Sequence, residues 1–261
     1  MPTVLAEYRH KYSSAELTRD ANGVLLVQFH TNGGSLIWSE TAHRELSGLF
    51  GDIGDDRDNR VVILTGKGEH FITETDSASL SDVGTPMGWD KIYFEGRRML
   101  RNLLDIDCPV IGALNGPVTE HSELILLSDV VLCSETATLK DGPHFANGLV
   151  PGDGVNLAMP LIMGLNRARY FLLMGQRLSA SEMLHAGIVG EVLPSAQLLS
   201  RAREIATLWA QKPTLTLKHT RTALVQTLRK LMLDQLGYGL ALEGNALVAM
   251  GTEDFEFLPQ D

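Results

Sequence analysis

Apolar positions fall into two regimes along the chain. Short, almost unbroken apolar runs read as buried strands: Val24–His30, Arg60–Thr65, Pro109–Leu114 and Asp129–Cys133. Between them the pattern changes to helical spacing, predicting helices over Thr41–Ile53, Trp89–Ile106 and the shorter Leu124–Leu127. Strands that alternate with helices argue for βαβ-type units and a largely parallel sheet. Beyond about Leu165 only helical spacing remains. Arg167–Met174, Ala180–Ala186, Ala196–Ala210 and Leu215–Met250 are predicted helices, and Gly175, Gly187 and Pro213 stand where helix ends prefer them. The simplest description is an α/β core over residues 1–200 followed by a helical region over 201–261.

That helical region carries Leu228, Leu231, Leu233, Leu236, Leu240, Leu242 and Leu247, more apolar faces than one core needs. It either packs back on its own core or covers a neighbouring copy of the chain.

Composition narrows the function. The chain has 261 residues, with 22 Lys and Arg against 32 Asp and Glu, a formal net charge of −10. Such a surface disfavours nucleic acid and anionic membrane as partners. Cys108 and Cys133 are the two cysteines, too few for a disulfide framework, which fits a reducing, cytoplasmic setting. The opening MPTVLAEYRH lacks the apolar core of a signal peptide, and no run of about 20 apolar residues could span a bilayer.

The segment KDGPHFANGLVPGDG, Lys140–Gly154, holds His144 and Asp153 between glycines and prolines. A carboxylate that aims an imidazole makes a general base near neutral pH. His121 lies upstream in the loop NGPVTEHSEL. These residues point to a site built from imidazoles, with no cofactor. No G-x-S-x-G elbow supports a serine nucleophile, and TGKGEHF has too few glycines for a dinucleotide fingerprint. His121, Glu123, His144 and Asp153 are all ligand types, but no compact metal-binding spacing joins them, so no metal is expected. The remaining histidines, His10, His30, His43, His70, His185 and His219, read as ordinary surface or core residues.

The order RVVILTGKGEHFITETD, CPVIGALNGPV, ELILLSDVVLCSETATL, GLVPGDG, NRARYFLLMGQRLSASEMLHAGIVGEVLP resembles the crotonase (enoyl-CoA hydratase/isomerase) superfamily from about Val24 to Pro194. The resemblance implies a crotonase-like spiral of ββα turns, with the helical C-terminal region used in assembly into trimers or pairs of trimers. The departures are informative. Where the family keeps a glycine triplet whose N–H binds a thioester oxygen, this chain has Thr119, Glu120, His121 and Ser122, and the loop is one residue shorter. The second donor segment, usually F–AGAD, reads Phe71–Asp76 without its small residues. His144 takes the place of a hydratase glutamate, and Asp153 stands between the glycines of the PG–G block. Glu123 keeps the glutamate of the EL pair.

Those departures, with SLIWSETAH and the tail GLALE, resemble the β-diketone hydrolase branch typified by 6-oxocamphor hydrolase. The resemblance implies a cofactor-independent hydrolase that breaks the carbon–carbon bond of a cyclic or bicyclic β-diketone by retro-Claisen chemistry. It assigns catalysis to His144, Asp153 and His121, and assigns Trp38 and Glu243 to lining or ordering the site. Under this reading His144, aimed by Asp153, takes a proton from water, while His121 steadies the enolate. Glu243 is expected to act as a second-layer group, in its own subunit or a neighbouring one. Trp38, Phe71, Trp89, Phe94 and Phe145 are candidates for shaping the pocket. Two other functions remain open: CoA-thioester chemistry of the ordinary crotonase kind, and a scaffold that has lost catalysis.

Overall fold

The computed structural model describes residues 3–250, so 251–261, the end of the proposed helical region, lie outside the described residues. Ten strands are seen: β1 (Ala15–Arg19), β2 (Val24–Phe29), β3 (Leu36–Trp38), β4 (Val61–Gly66), β5 (Ile72–Thr75), β6 (Val110–Leu114), β7 (Val130–Ser134), β8 (Thr138–Lys140), β9 (Arg177–Ser179) and β10 (Glu191–Leu193). The α-helices are α1 (Leu5–Tyr8), α2 (Glu40–Asp55), α3 (Pro86–Asp105), α4 (Glu123–Leu126), α5 (Val155–Met163), α6 (Leu165–Met174), α7 (Ala180–His185), α8 (Ser195–Ala210) and α9 (Thr214–Met250).

A six-stranded sheet runs in the order β1-β2-β4-β6-β7-β10. Only β1 is antiparallel to its neighbour; the other four pairings are parallel. A second layer is built from β3 paired with β5 and β8 paired with β9. Val118 bridges it, pairing with Ile72 on one side and Leu139 on the other. The chain therefore winds as a spiral. Each turn leaves one strand in the main sheet, one short strand or bridge in the second layer, and then a helix: β2-β3-α2, β4-β5-α3, β6-Val118-α4.

The strands of the main sheet are apolar throughout because both faces are covered. Successive side chains on β2 point to opposite faces. Leu25, Val27 and Phe29 enter the main core with Leu46, Leu64, Leu103 and Leu114. Val24 and Leu26 join Val61, Ile63, Ile111 and Leu132 against α8. Leu198, Ala202, Ala206 and Ala210 supply the α8 side, and the small alanines let the helix sit close. This helix runs unbroken through residue 200, where the sequence reading divides the chain.

Helix α9 packs only part of its apolar surface on its own chain. Met232, Leu236 and Leu240 are buried in the main core, so one face packs back on its own chain, against α3 and α5. Trp89 on α3 donates its indole N–H to the Leu240 carbonyl at 3.0 Å. Leu224, Leu233 and Tyr238 on the other side stay exposed. Arg221 is buried where α9 crosses the end of α3, donating to the carbonyls of Leu103, Leu104 and Ile106 and pairing with Asp129 at 2.8 Å. Those carbonyls belong to a helix end that would otherwise lack partners. No helix among the described residues is long and apolar enough to cross a membrane.

Candidate active site

The second layer of the spiral brings the candidate residues together. Val118 is held on both sides by the bridges to β5 and β8, which aims the loop that follows it. Three residues on, His121 adopts φ +48, a left-handed conformation costly for a residue with a side chain. The loop thus keeps a left-handed residue and uses a histidine for it. The His121 ring stacks on Trp38 at the end of β3, with centroids 3.7 Å apart and planes 30° from parallel.

His121 Nδ1 lies 2.8 Å from Glu123 Oε1. Glu123 is fully buried; burial first, and then the nearby charge of Asp153, push its carboxyl well above the usual range. This contact takes up Nδ1 of His121. Burial lowers the pKa of His121, which keeps the ring neutral despite the pull of Asp153 and Glu120.

His144 follows β8. Its backbone is locked by Asn147, whose N–H bonds the His144 carbonyl at 2.7 Å and whose amide side chain bonds the Gly142 carbonyl at 2.6 Å. Here the structure corrects the sequence reading. The acid that hydrogen-bonds His144 is Asp141, with Oδ1 2.6 Å from Nδ1. Asp153 stands on the far side of the ring, Oδ2 3.7 Å from Nε2, too far for a direct hydrogen bond. The same Asp153 oxygen is 3.6 Å from His121 Nδ1, so this acid sits between the two imidazoles.

Glu243 completes the cluster from α9 of the same chain, with Oε1 3.7 Å from His144 Nε2. It reaches the site because Gly152 and Gly239 touch backbone to backbone. A Cβ on either would collide with the other's carbonyl. Burial first, and then Asp153, raise the Glu243 carboxyl to about 7, although His144 opposes this. Burial alone would lower the pKa of His144; Asp153, Asp141 and Glu243 outweigh it and hold the imidazolium well above its ordinary value. His144 is therefore charged in the resting site, and a free imidazole base at neutral pH is not what the geometry presents.

Two further residues escape a reading by sequence. His43 on α2 is buried, 2.8 Å from Glu95 of α3, and its ring meets Trp38 edge-on at 5.7 Å. Its partner is 52 residues away, so no local signal marks it. Asp141 had such a signal in the D-G-P-H spacing, three residues before His144. Among the aromatic candidates, Phe71 is a core residue packed on Phe29, not a pocket wall, while Phe94 and Phe145 are exposed.

The chain matches the enoyl-CoA hydratase/isomerase family over residues 19–247. It belongs to that family. A solved β-diketone hydrolase from the cyanobacterium Anabaena, bound to (S)-3-oxocyclohexyl acetic acid, is 49% identical, with a TM-score of 0.92 over 94% of this chain and 98% of that one. A solved enoyl-CoA hydratase/isomerase from Mycobacterium paratuberculosis is 27% identical, with a TM-score of 0.81 over 90% and 94%. By sequence, a short-chain-enoyl-CoA hydratase of Clostridium acetobutylicum is 29% identical over 165 residues, and the match spans 62% of its length. A carnitinyl-CoA dehydratase of Escherichia coli is 30% identical over 206 residues, 74% of this chain and 73% of that one.

Within this crotonase fold the thioester cradle is altered. The Glu120 N–H, at the position of the family's glycine donors, bonds the Ile72 carbonyl at 3.3 Å. The site residues instead offer side-chain groups: two imidazoles and a ring of acids. His121, Glu123 and Asp153 place three ligand-type atoms within 4.8 Å of one another, and two of these residues are also in direct contact, Nδ1 of His121 with Glu123 Oε1. An apolar cleft lined by Leu126, Leu161, Leu224 and Leu228 shares no residue with the cluster.

Proposed function

We propose that this chain hydrolyses the carbon–carbon bond of a 1,3-diketone, cyclic or bicyclic, to give a keto acid without a cofactor. The observation that carries the reading is Asp153 Oδ2 standing 3.6 Å from one imidazole and 3.7 Å from another. The Anabaena relative, named a β-diketone hydrolase and bound to a keto acid, supports it.

A water bridging His144 Nε2, Asp153 Oδ2 and Glu243 Oε1, the two oxygens each 3.7 Å from that nitrogen, would have three polar partners. As its oxygen bonds to a ketone carbon, its proton passes to this cluster. Because the three acids hold His144 protonated, the acceptor is a carboxylate of the group, and Glu243 is the one poised near neutrality. The tetrahedral oxyanion then collapses. The carbon–carbon bond breaks, and its electron pair flows into the second carbonyl as an enolate. His121 donates Nε2–H to that oxygen, with Trp38 fixing its ring plane. The proton taken from water returns to carbon.

The exposed Leu161, Leu165, Tyr170, Leu173 and Met174 on α5 and α6 support assembly with further copies, and the proposed assembly is a homo-trimer or a dimer of trimers. Light scattering of the purified protein tests the assembly.

Incubation with monocyclic and bicyclic 1,3-diketones, following loss of the diketone absorbance, tests the activity. Cleavage is expected, and His144→Ala should slow it at least about 100-fold, because the imidazolium donor facing the water and the developing oxyanion is lost. A variant within a factor of a few of wild type, or no cleavage of any diketone, would overturn the reading. CoA-thioester chemistry, which the curated relatives favour, predicts instead that acetyl-CoA binds and raises the melting temperature.

A further inference from the structure

Neither the glycine-rich framing nor the family resemblance gives Asp141 a role. We propose that Asp141 is the positioning residue of His144: it holds the Nδ1–H of the ring, so that Nε2 is the nitrogen presented to water and substrate. The proposal rests on the hydrolytic reading of this site.

The argument starts from a conflict in the simpler His144–Asp153 pairing. One acid cannot both clamp a ring nitrogen and leave the hydrogen on that nitrogen free to donate to water and substrate. Asp153 and Glu243 both face Nε2, each at 3.7 Å, across a gap. Asp141 faces the opposite nitrogen at 2.6 Å, the length of a charge-assisted hydrogen bond. The two ring nitrogens are therefore divided between two tasks.

Asp141 is built to hold still. It follows β8 directly and is itself buried. Its chain neighbours are pinned on both sides: Lys140 N–H bonds the Val118 carbonyl at 3.1 Å, and Gly142 N–H bonds the Thr119 carbonyl at 2.9 Å. Val118 and Thr119 lead into His121, so one short ladder sets the positions of both imidazoles. Asp153 lies in the loop before α5, where its other oxygen reaches Val155 N–H at only 3.4 Å. The second oxygen of Asp141 is buried and has no hydrogen-bond partner among the described residues, which leaves His144 as the group that carboxylate serves.

The test labels histidine with ¹⁵N and reads the ring nitrogens by long-range ¹H–¹⁵N correlation, with His144 assigned by the loss of its signals in His144→Gln. In the wild type, Nδ1 of His144 should carry a proton in a strong hydrogen bond. Asp141→Asn should move that signal, and Asp153→Asn should leave it in place. For a diketone that the wild type cleaves, Asp141→Asn should lower kcat on the order of 10²–10³-fold while KM stays within about threefold, because orientation is lost and the pocket is not. A merely structural role would lower the melting temperature without that split. An unprotonated Nδ1 in the wild type, a signal that follows Asp153 instead of Asp141, or a folded Asp141→Asn with unchanged kcat would each overturn the proposal. The wild-type spectrum needs no variant and no substrate, so it decides the ring geometry even if no diketone is cleaved.

Discussion

Glu243→Gln should make the protein more stable and less active, with both effects set by pH. Glu243 is 8% exposed, its Oε1 faces His144, and its Oε2 is buried without a partner among the described residues. Its carboxyl is moved from 4.5 in the unfolded chain to about 7 in the fold. Between those values the folded protein keeps a proton that the unfolded chain has lost. Stability from this group is thus fully present below about pH 4.5 and is lost as pH rises through about 7. The displacement corresponds to about 3 kcal/mol. Glutamine is neutral at every pH, so it keeps what ionisation of Glu243 removes. At about 2 °C per kcal/mol for a chain of this size, the melting temperature of the variant relative to wild type should climb by about 6 °C between acid and mildly alkaline buffer. Calorimetry across that range reads it directly. In the same variant kcat should fall on the order of 10²–10⁴-fold, since the proton acceptor is gone. A difference in melting temperature that stays flat with pH would refute the electrostatic reasoning. A variant with full activity would refute the assignment of Glu243 as acceptor.

Other outcomes follow from separate parts of the fold. Arg221→Met should cost on the order of 3–5 kcal/mol in urea unfolding, because Asp129 and the end of α3 are left buried without their partner. Gly152→Ala should cut activity far more than a surface Gly→Ala change, since its Cβ would push α9 and Glu243 off the loop; wild-type activity would show that this contact is not what seats Glu243. Trp38→Ala should weaken diketone turnover by freeing the His121 ring, while Trp38→Phe, which still stacks, should recover much of it. Acetyl-CoA should leave the melting temperature unmoved, and a dose-dependent rise would favour thioester chemistry.

Much of the fold is legible in the apolar pattern because burial on both faces makes a strand's signature local. β2, β4, β6 and β7 stand where the apolar runs place them, and α2, α3, α8 and α9 within a few residues of their predicted spans. The short second-layer strands escape, since three residues such as Leu36–Trp38 or Thr138–Lys140 carry too little periodicity to register. The same holds for the site. His121, His144 and Asp153 announce themselves by residue type and by glycine-rich framing. How they pair does not, although Asp141 and Glu123 lie only three and two residues from their histidines.

The sequence by itself determined the spiral of alternating strands and helices, the family, and which side chains are candidates for the chemistry, because each depends on near neighbours or on ordered motifs. Only the tertiary structure decided which acid serves which nitrogen. It set Asp141 on one side of His144 and Asp153 with Glu243 on the other, tied Glu123 to His121, and brought α9 back to its own core. Asp141 and Glu123 lie within three residues of their histidines and Glu243 on a distant helix, yet which nitrogen each acid faces rests on separations of a few ångströms that only the fold sets. In a buried site, such separations decide where each proton resides.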